Sequence, residues 1–170
     1  SSDIEAFFAE NEFDTINIVA CGTAMHAGLI GKFMTEKLAR IPVNVYIASE
    51  FRYQDPILGS RDLVILISQS GETADTIAAL RLAKERGAHT LAVVNVIGST
   101  VAREADRMIL TLAGPEISVA STKAYSSQIT VMYVISIKLA ELRGRLSPGE
   151  ANALLEELGS KVPAAIEEVI

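Results

Sequence analysis

Residues 63–76 constrain the fold more than any other stretch. Leu63-Val64-Ile65-Leu66-Ile67 is an unbroken, mostly branched apolar run, as expected of a strand buried on both faces in the middle of a parallel sheet. Ile77, Leu80 and Ala83 follow at helical spacing up to Gly87, which predicts an amphipathic helix with a glycine C-cap. Between the two lies Ser68-Gln69-Ser70-Gly71-Glu72-Thr73. A strand-to-helix turn of this composition points hydroxyls, an amide and the first N–H groups of the helix at one spot. Open α/β sheets bind ligands at such turns, and the helix dipole favours an anion there. Ser70 and Thr73 could instead serve only as helix caps. Capping uses one or two such residues, not four hydroxyl or amide groups in six positions, so the turn is read as a ligand site.

The rest of the chain repeats the strand-then-helix pattern. A short leading helix is expected over residues 3–10, with Ile4, Phe7 and Phe8 on one face, and a first strand over Ile16–Ala20. Cys21-Gly22-Thr23-Ala24 then opens a long helix to about Arg40, stopped by Ile41-Pro42. Val43–Ile47 is a second strand, and Ser49–Tyr53 a short polar helix or loop. Beyond Gly87, strands are expected over Thr90–Asn95 and Arg107–Leu112, with a short helical turn from Gly98 to Ala105 between them. A polar loop over 115–123 leads into a helix at 124–143 that is apolar nearly all round. Ser147-Pro148-Gly149-Glu150 is a capping box with proline at the first helical position, starting a helix to about Leu158.

Connections too long for hairpins predict an α/β fold: a three-layer, doubly wound, five-stranded parallel sheet with helices on both faces. The helix at 124–143 needs cover on more than one side, from a partner subunit or second domain, or from the C-terminal helices of the same chain. At 170 residues the chain suits one domain, burying roughly 70% of its unfolded surface. Residues 145–170 are expected to form a helical extension or the start of a linker. The chain opens Ser1-Ser2 without a methionine and closes at Ile170 inside an amphipathic stretch after Pro163. Both ends predict a piece of a larger protein.

Composition narrows the function. Net charge is −6, which argues against nucleic acid or an anionic membrane as a partner. The longest apolar run, Val131–Ile137, is far short of the ~20 residues of a membrane span. A single cysteine, Cys21, excludes an internal disulfide framework and suits a reducing, cytoplasmic compartment. No G-x-G-x-x-G and no metal-ligand spacing occur, so no cofactor is expected. Gly28-Leu29-Ile30-Gly31-Lys32 superficially resembles a phosphate loop, but it lacks the spacing and lies within a predicted helix. His26 reads as a packing or surface residue, Cys21 as a small buried one, and Lys123 as a solvated lysine opening a helix.

Three polar turns remain, at the carboxyl ends of predicted strands: Cys21–Ala24, Ser68–Thr73 and Glu116–Lys123. In a parallel sheet these ends share one edge, so Thr23, Ser68, Gln69, Ser70, Thr73, Ser121 and Thr122 can converge. Neutral donors predominate over Arg and Lys. That chemistry suits a phosphate held by hydroxyls and helix amides, plus a polyhydroxylated body needing donors and acceptors. A sugar phosphate meets both requirements.

Cys21-Gly22-Thr23, Ala48-Ser49-Glu50-Phe51-Arg52-Tyr53, the run Ile67–Thr76 and Gly114–Tyr125 together resemble the sugar isomerase (SIS) fold, which is flavodoxin-like. More narrowly they are similar to the first SIS subdomain of the glutamine–fructose-6-phosphate aminotransferases, the glucosamine-6-phosphate synthases. The similarity runs from about Ile16 to Leu142. It implies that Ser68, Gln69, Ser70 and Thr73 bind the phosphate, while Thr23, Ser121 and the backbone at Val119 contact the sugar. The ligand would be fructose 6-phosphate, glucosamine 6-phosphate or glucose 6-phosphate. The family often has serine where this chain has Ala24, so one hydroxyl contact is missing.

The resemblance also implies what lies elsewhere. The glutaminase domain with its cysteine nucleophile, and the Schiff-base lysine, proton-shuttling glutamate and ring-opening histidine of the second SIS subdomain and tail, have no match here. The chain is therefore expected to bind hexose phosphate without turnover, and the apolar helix at 124–143 makes a homodimer the expected assembly. Two alternatives are a free-standing sugar-phosphate isomerase, for which Glu50, Glu72 or His26 would have to supply acid and base, and the sensor domain of a transcriptional regulator. The loop at 114–125 favours the aminotransferase.

Overall fold

Alternate residues of the central strands belong to two separate cores, one on each face of a single sheet. The computed structural model describes residues 2–115, 117 and 121–168. Its strands are β1 (Thr15–Ala20), β2 (Val43–Ile47), β3 (Asp62–Ser68), β4 (His89–Val94) and β5 (Arg107–Leu110). All pair in parallel, in the order β2-β1-β3-β4-β5. Ile16, Ile18, Leu63, Ile65, Ile67, Leu91 and Val93 face one core, whereas Val19, Val64, Leu66, Ala92 and Val94 face the other. This period of two, with both faces buried, is why β3 reads as an unbroken apolar run.

Helices α1 (Ser2–Glu10), α2 (Thr23–Leu38) and α6 (Thr122–Leu142) cover the first face. Helices α3 (Ala48–Phe51), α4 (Ala74–Glu85) and α5 (Thr100–Glu104) cover the second. This is the doubly wound three-layer architecture expected, with the flavodoxin-like strand order. After β1 the chain moves outward to β2, and from β3 onward it builds in the opposite direction. The switch point therefore lies between the carboxyl ends of β1 and β3.

The apolar helix α6 packs chiefly on α2, with α1 and α7 (Pro148–Glu156) against its carboxyl half, while Ile129, Val131, Tyr133 and Val134 stay half-buried. Small residues allow the close approach of α2. A β-carbon at Gly28 would lie 2.8 Å from Ile18 Cγ2, and one at Gly31 would lie 2.6 Å from Met132 Cε. The glycines that superficially resembled a phosphate loop are thus packing positions. A buried hydroxyl pair, Thr35 Oγ1 and Ser136 Oγ at 2.8 Å, ties the two helices one turn further on.

Local expectations held within a residue or two, with three instructive differences. Helix α2 ends at Leu38, and Arg40 takes φ 57° beyond the C-cap Ala39, so the stop precedes Ile41-Pro42. Strand β5 ends at Leu110 rather than Leu112 because Asn95, just past β4, draws the chain off the sheet. Asn95 Oδ1 accepts from Thr111 Oγ1 and from the Ala113 amide, and its Nδ2 donates to the Gly114 carbonyl. The stretch at 49–53 is not simply polar, since Phe51 is fully buried against Tyr46, ring centroids 5.1 Å apart. The capping box forms as expected: Ser147 Oγ accepts from the Glu150 amide, and the Glu150 carboxylate accepts from Ser147 N. A π-helical turn, Glu157–Lys161, and helix α8 (Val162–Glu167) follow α7. Among the described residues no helix is long and apolar enough to cross a membrane.

Candidate functional site

A cavity of about 230 Å³ opens at the switch point, over the carboxyl ends of β1 and β3. Cys21, Thr23, Ala24, Ile67, Ser68, Gln69, Ser70, Thr73, Thr76, Ser121 and Gln128 line it. Of the residues singled out in the sequence, Thr23, Ser68, Gln69, Ser70, Thr73 and Ser121 are therefore brought together. Thr122 opens α6 beside Ser121 and is exposed, and Val119 lies outside the described residues. Cys21 is half-buried on the cavity wall, not fully buried as expected of a strand-end packing residue.

Three helices point their amino ends at this cavity. Their N-cap residues are Gly22 for α2, Thr73 for α4 and Ser121 for α6, and none makes a side-chain cap hydrogen bond. Away from the cavity, α7 carries a complete capping box. Thr73 and Ser121 are good capping residues whose hydroxyls are left uncommitted to capping, so capping does not account for them. Three positive dipole ends with first-turn amides directed into one cavity favour an anion.

The turn after β3 orients its own hydroxyls. Ser68 Oγ, nearly buried, accepts from the Gly71 amide at 3.0 Å, and Ser70 Oγ accepts from the Glu72 amide at 3.2 Å. With a lone pair engaged by the turn, each hydroxyl keeps its proton for an acceptor in the cavity. Donors so arranged suit the oxygens of a phosphate. Gln69 is held from behind, its carbonyl accepting from Asn95 N at 3.1 Å.

Comparison with known proteins gives the family. A family model described as SIS domain matches residues 11–138. The chain belongs to the SIS domain family. This SIS domain is 55% identical over 159 residues to a glutamine–fructose-6-phosphate aminotransferase (isomerizing) of Clostridium tetani, covering 94% of the chain and 26% of the relative. A relative of the same description from Symbiobacterium thermophilum is 56% identical over 143 residues, covering 84% of the chain and 24% of the relative. The chain thus spans about a quarter of the length of these curated relatives. Among solved structures, the C-terminal domain of glucosamine-fructose-6-phosphate aminotransferase from Francisella tularensis superposes with a TM-score of 0.87 at 38% identity. It covers 94% of this chain and 45% of that one.

Among the described residues, charged groups stand back from the SIS cavity. Glu72, in the turn itself, directs its carboxylate away, to Thr100 N at 2.7 Å and Thr100 Oγ1 at 2.8 Å. Those two bonds, the backbone one foremost, hold its carboxyl below the ordinary carboxylate value. Glu50 and His26 are exposed and do not line the cavity. Lys123 is exposed, its Nζ donating to the Pro115 carbonyl. Among the described residues no cluster of His, Cys, Asp and Glu could hold a metal ion.

Two lining residues escaped the sequence reading. Thr76 and Gln128 sit on α4 and α6, 1% and 2% exposed. Thr76 is the third residue of α4 and Gln128 the seventh of α6, positions where sequence spacing marks a buried face without saying what that face borders. A larger cavity, about 450 Å³, lies where Phe8 and Phe13 meet the carboxyl end of α6. Of its three arginines, Arg61 holds Asp14 by a bidentate bond and Arg143 donates to the Phe13 carbonyl, and the carboxylates of Glu12 and Asp14 line the same cavity. It is therefore a weaker anion site than its composition suggests.

Proposed function

We propose that this chain is the sugar-phosphate-binding SIS domain of an enzyme making glucosamine 6-phosphate from fructose 6-phosphate and glutamine. The observation that carries the reading is the meeting of three amino ends, those of α2, α4 and α6, over one hydroxyl-lined cavity with no N-cap side chain closing them. The names of the relatives at 55% and 56% identity support the choice of sugar phosphate. In this reading Ser68, Gln69, Ser70, Thr73 and the first turn of α4 hold the phosphate. Thr23, Ser121 and the backbone at Val119 contact the sugar. Ala24 supplies no hydroxyl to it.

The chain binds and orients the hexose phosphate but does not turn it over. Isomerisation moves a proton between adjacent carbons and needs an acid/base group within hydrogen-bond reach. Glu72 is bonded to Thr100, and Glu50 and His26 are off the cavity. Glutamine hydrolysis and amination belong to a glutaminase domain and a second SIS domain of the same enzyme, which acts as a cytoplasmic homodimer. Titration of the chain with fructose 6-phosphate, followed by amide NMR with fructose and inorganic phosphate as controls, tests this. Shifts centred on residues 21–24, 68–73 and 119–122 without product are expected. Turnover by this chain would make it a complete isomerase, and absence of shifts at millimolar ligand would refute the site.

A further inference from the structure

The two most buried polar side chains lining the cavity each carry an atom without a hydrogen-bond partner among the described residues: Thr76 Oγ1 and Gln128 Oε1. Thr76 is the third residue of α4, so the carbonyl one turn earlier, that of Glu72, lies ahead of the N-cap Thr73, and the Thr76 hydroxyl is buried with no bond back into its own helix. A buried unpaired hydroxyl or amide carries a desolvation penalty that valine or leucine of similar shape would avoid. Asn17 Nδ2, Ser99 Oγ and Arg107 Nε are also buried without a hydrogen-bond partner among the described residues, but away from the cavity; Thr76 and Gln128 are the two that border it.

The chemistry of the two atoms separates them from the rim. Ser68, Ser70 and the helix amides offer protons, which suit phosphate oxygens. Gln128 Oε1 offers only lone pairs, and a phosphate monoester near neutral pH has at most one weakly held proton to give. An unpaired acceptor therefore calls for a hydroxyl, and Thr76 can accept from or donate to one. Resting on the sugar-phosphate reading of this cavity, we infer that Thr76 and Gln128 form its floor and read the hydroxyls of the sugar body. They set the preference for a polyol phosphate over a phosphate group carried on anything else.

The test uses the 170-residue chain with Thr76→Val and Gln128→Leu, plus Gln128→Met as a second variant should leucine disturb the core. Calorimetric titrations with fructose 6-phosphate and with methyl phosphate, which has no hydroxyl, are compared alongside thermal unfolding. Each substitution should weaken fructose 6-phosphate by about 5- to 10-fold and leave methyl phosphate within about twofold. The melting temperature should hold or rise, because an unpaired polar atom has been removed. Equal weakening of both ligands would place these residues on the phosphate and overturn the inference. So would unchanged affinity for both, or a fall in melting temperature in both Gln128 variants and in Thr76→Val, which would show a structural partner. Should the unsubstituted chain bind neither ligand, the sugar-phosphate reading falls first and this inference with it.

Discussion

A β-carbon at position 71 would lie 2.2 Å from Ser99 Oγ and 2.7 Å from Ser99 Cβ. Gly71 is pressed against the start of α5, its carbonyl accepting from Val101 N at 3.0 Å while its amide donates to Ser68 Oγ. Its φ of +65° is in the left-handed region. The cavity-lining turn is thus seated on a short helix that itself lies outside the cavity. Gly71→Ala should cost about 2–4 kcal/mol from left-handed strain and overpacking together. Urea unfolding would read that loss, and fructose 6-phosphate affinity should fall as Ser68 loses its orienting amide.

Thr73 stands at the N-cap of α4 without a capping bond. A capping threonine would lose about 1 kcal/mol on truncation. Thr73→Val should instead change stability by less than about 0.5 kcal/mol. Its cost should appear in binding, as roughly a tenfold loss of affinity for fructose 6-phosphate, the usual size of one hydrogen bond to a charged group. A loss of stability with affinity intact would restore the capping role.

Glu72 is pinned to Thr100, and its carboxyl is held below the ordinary value of 4.5 by those bonds. A depressed folded value means that its contribution to stability is present above the unfolded value and is lost as pH falls through the folded one. Stability should therefore fall as acid protonates Glu72 and releases Thr100, and Glu72→Gln should flatten the acid limb. Between about pH 5 and 8 the group stays ionised. The pH dependence of ligand binding in that window should be the same in the parent chain and in Glu72→Gln, following only the phosphate.

Arg40, exposed and at φ 57°, occupies the left-handed position after α2 that glycine usually fills. Arg40→Gly should stabilise the chain by about 0.5–1 kcal/mol, the relief of left-handed strain exceeding the greater flexibility of the unfolded glycine. Thermal unfolding gives the sign. A lower melting temperature would mean that the arginine side chain contributes more than its backbone costs.

Much of this molecule was legible in the chain because it is local. Short, nearly continuous apolar runs make β1, β3 and β4, a helical period makes α2, α4 and α6, and polar turns sit where one gives way to the other. The parallel sheet followed from connection lengths, and a shared edge for Thr23, Ser68 and Ser121 followed from the sheet. Where the residues of a turn meet only each other, as in the capping box at Ser147 and Glu150, sequence sufficed even for the hydrogen bonds.

Contacts between distant segments were decided only by the tertiary structure. Nothing near Glu72 says that its carboxylate belongs to Thr100, or that Asn95 ends β5 by taking Thr111 and Ala113. The buried faces of α4 and α6 could be read from spacing. Yet whether Thr76 and Gln128 on those faces meet core or cavity depends on how α2, α4 and α6 are set down on the sheet. Sequence determines which groups a helix turns inward. What they find there is fixed by the packing of elements far apart in the chain, because side-chain complementarity across the layers, and not local preference, sets that arrangement.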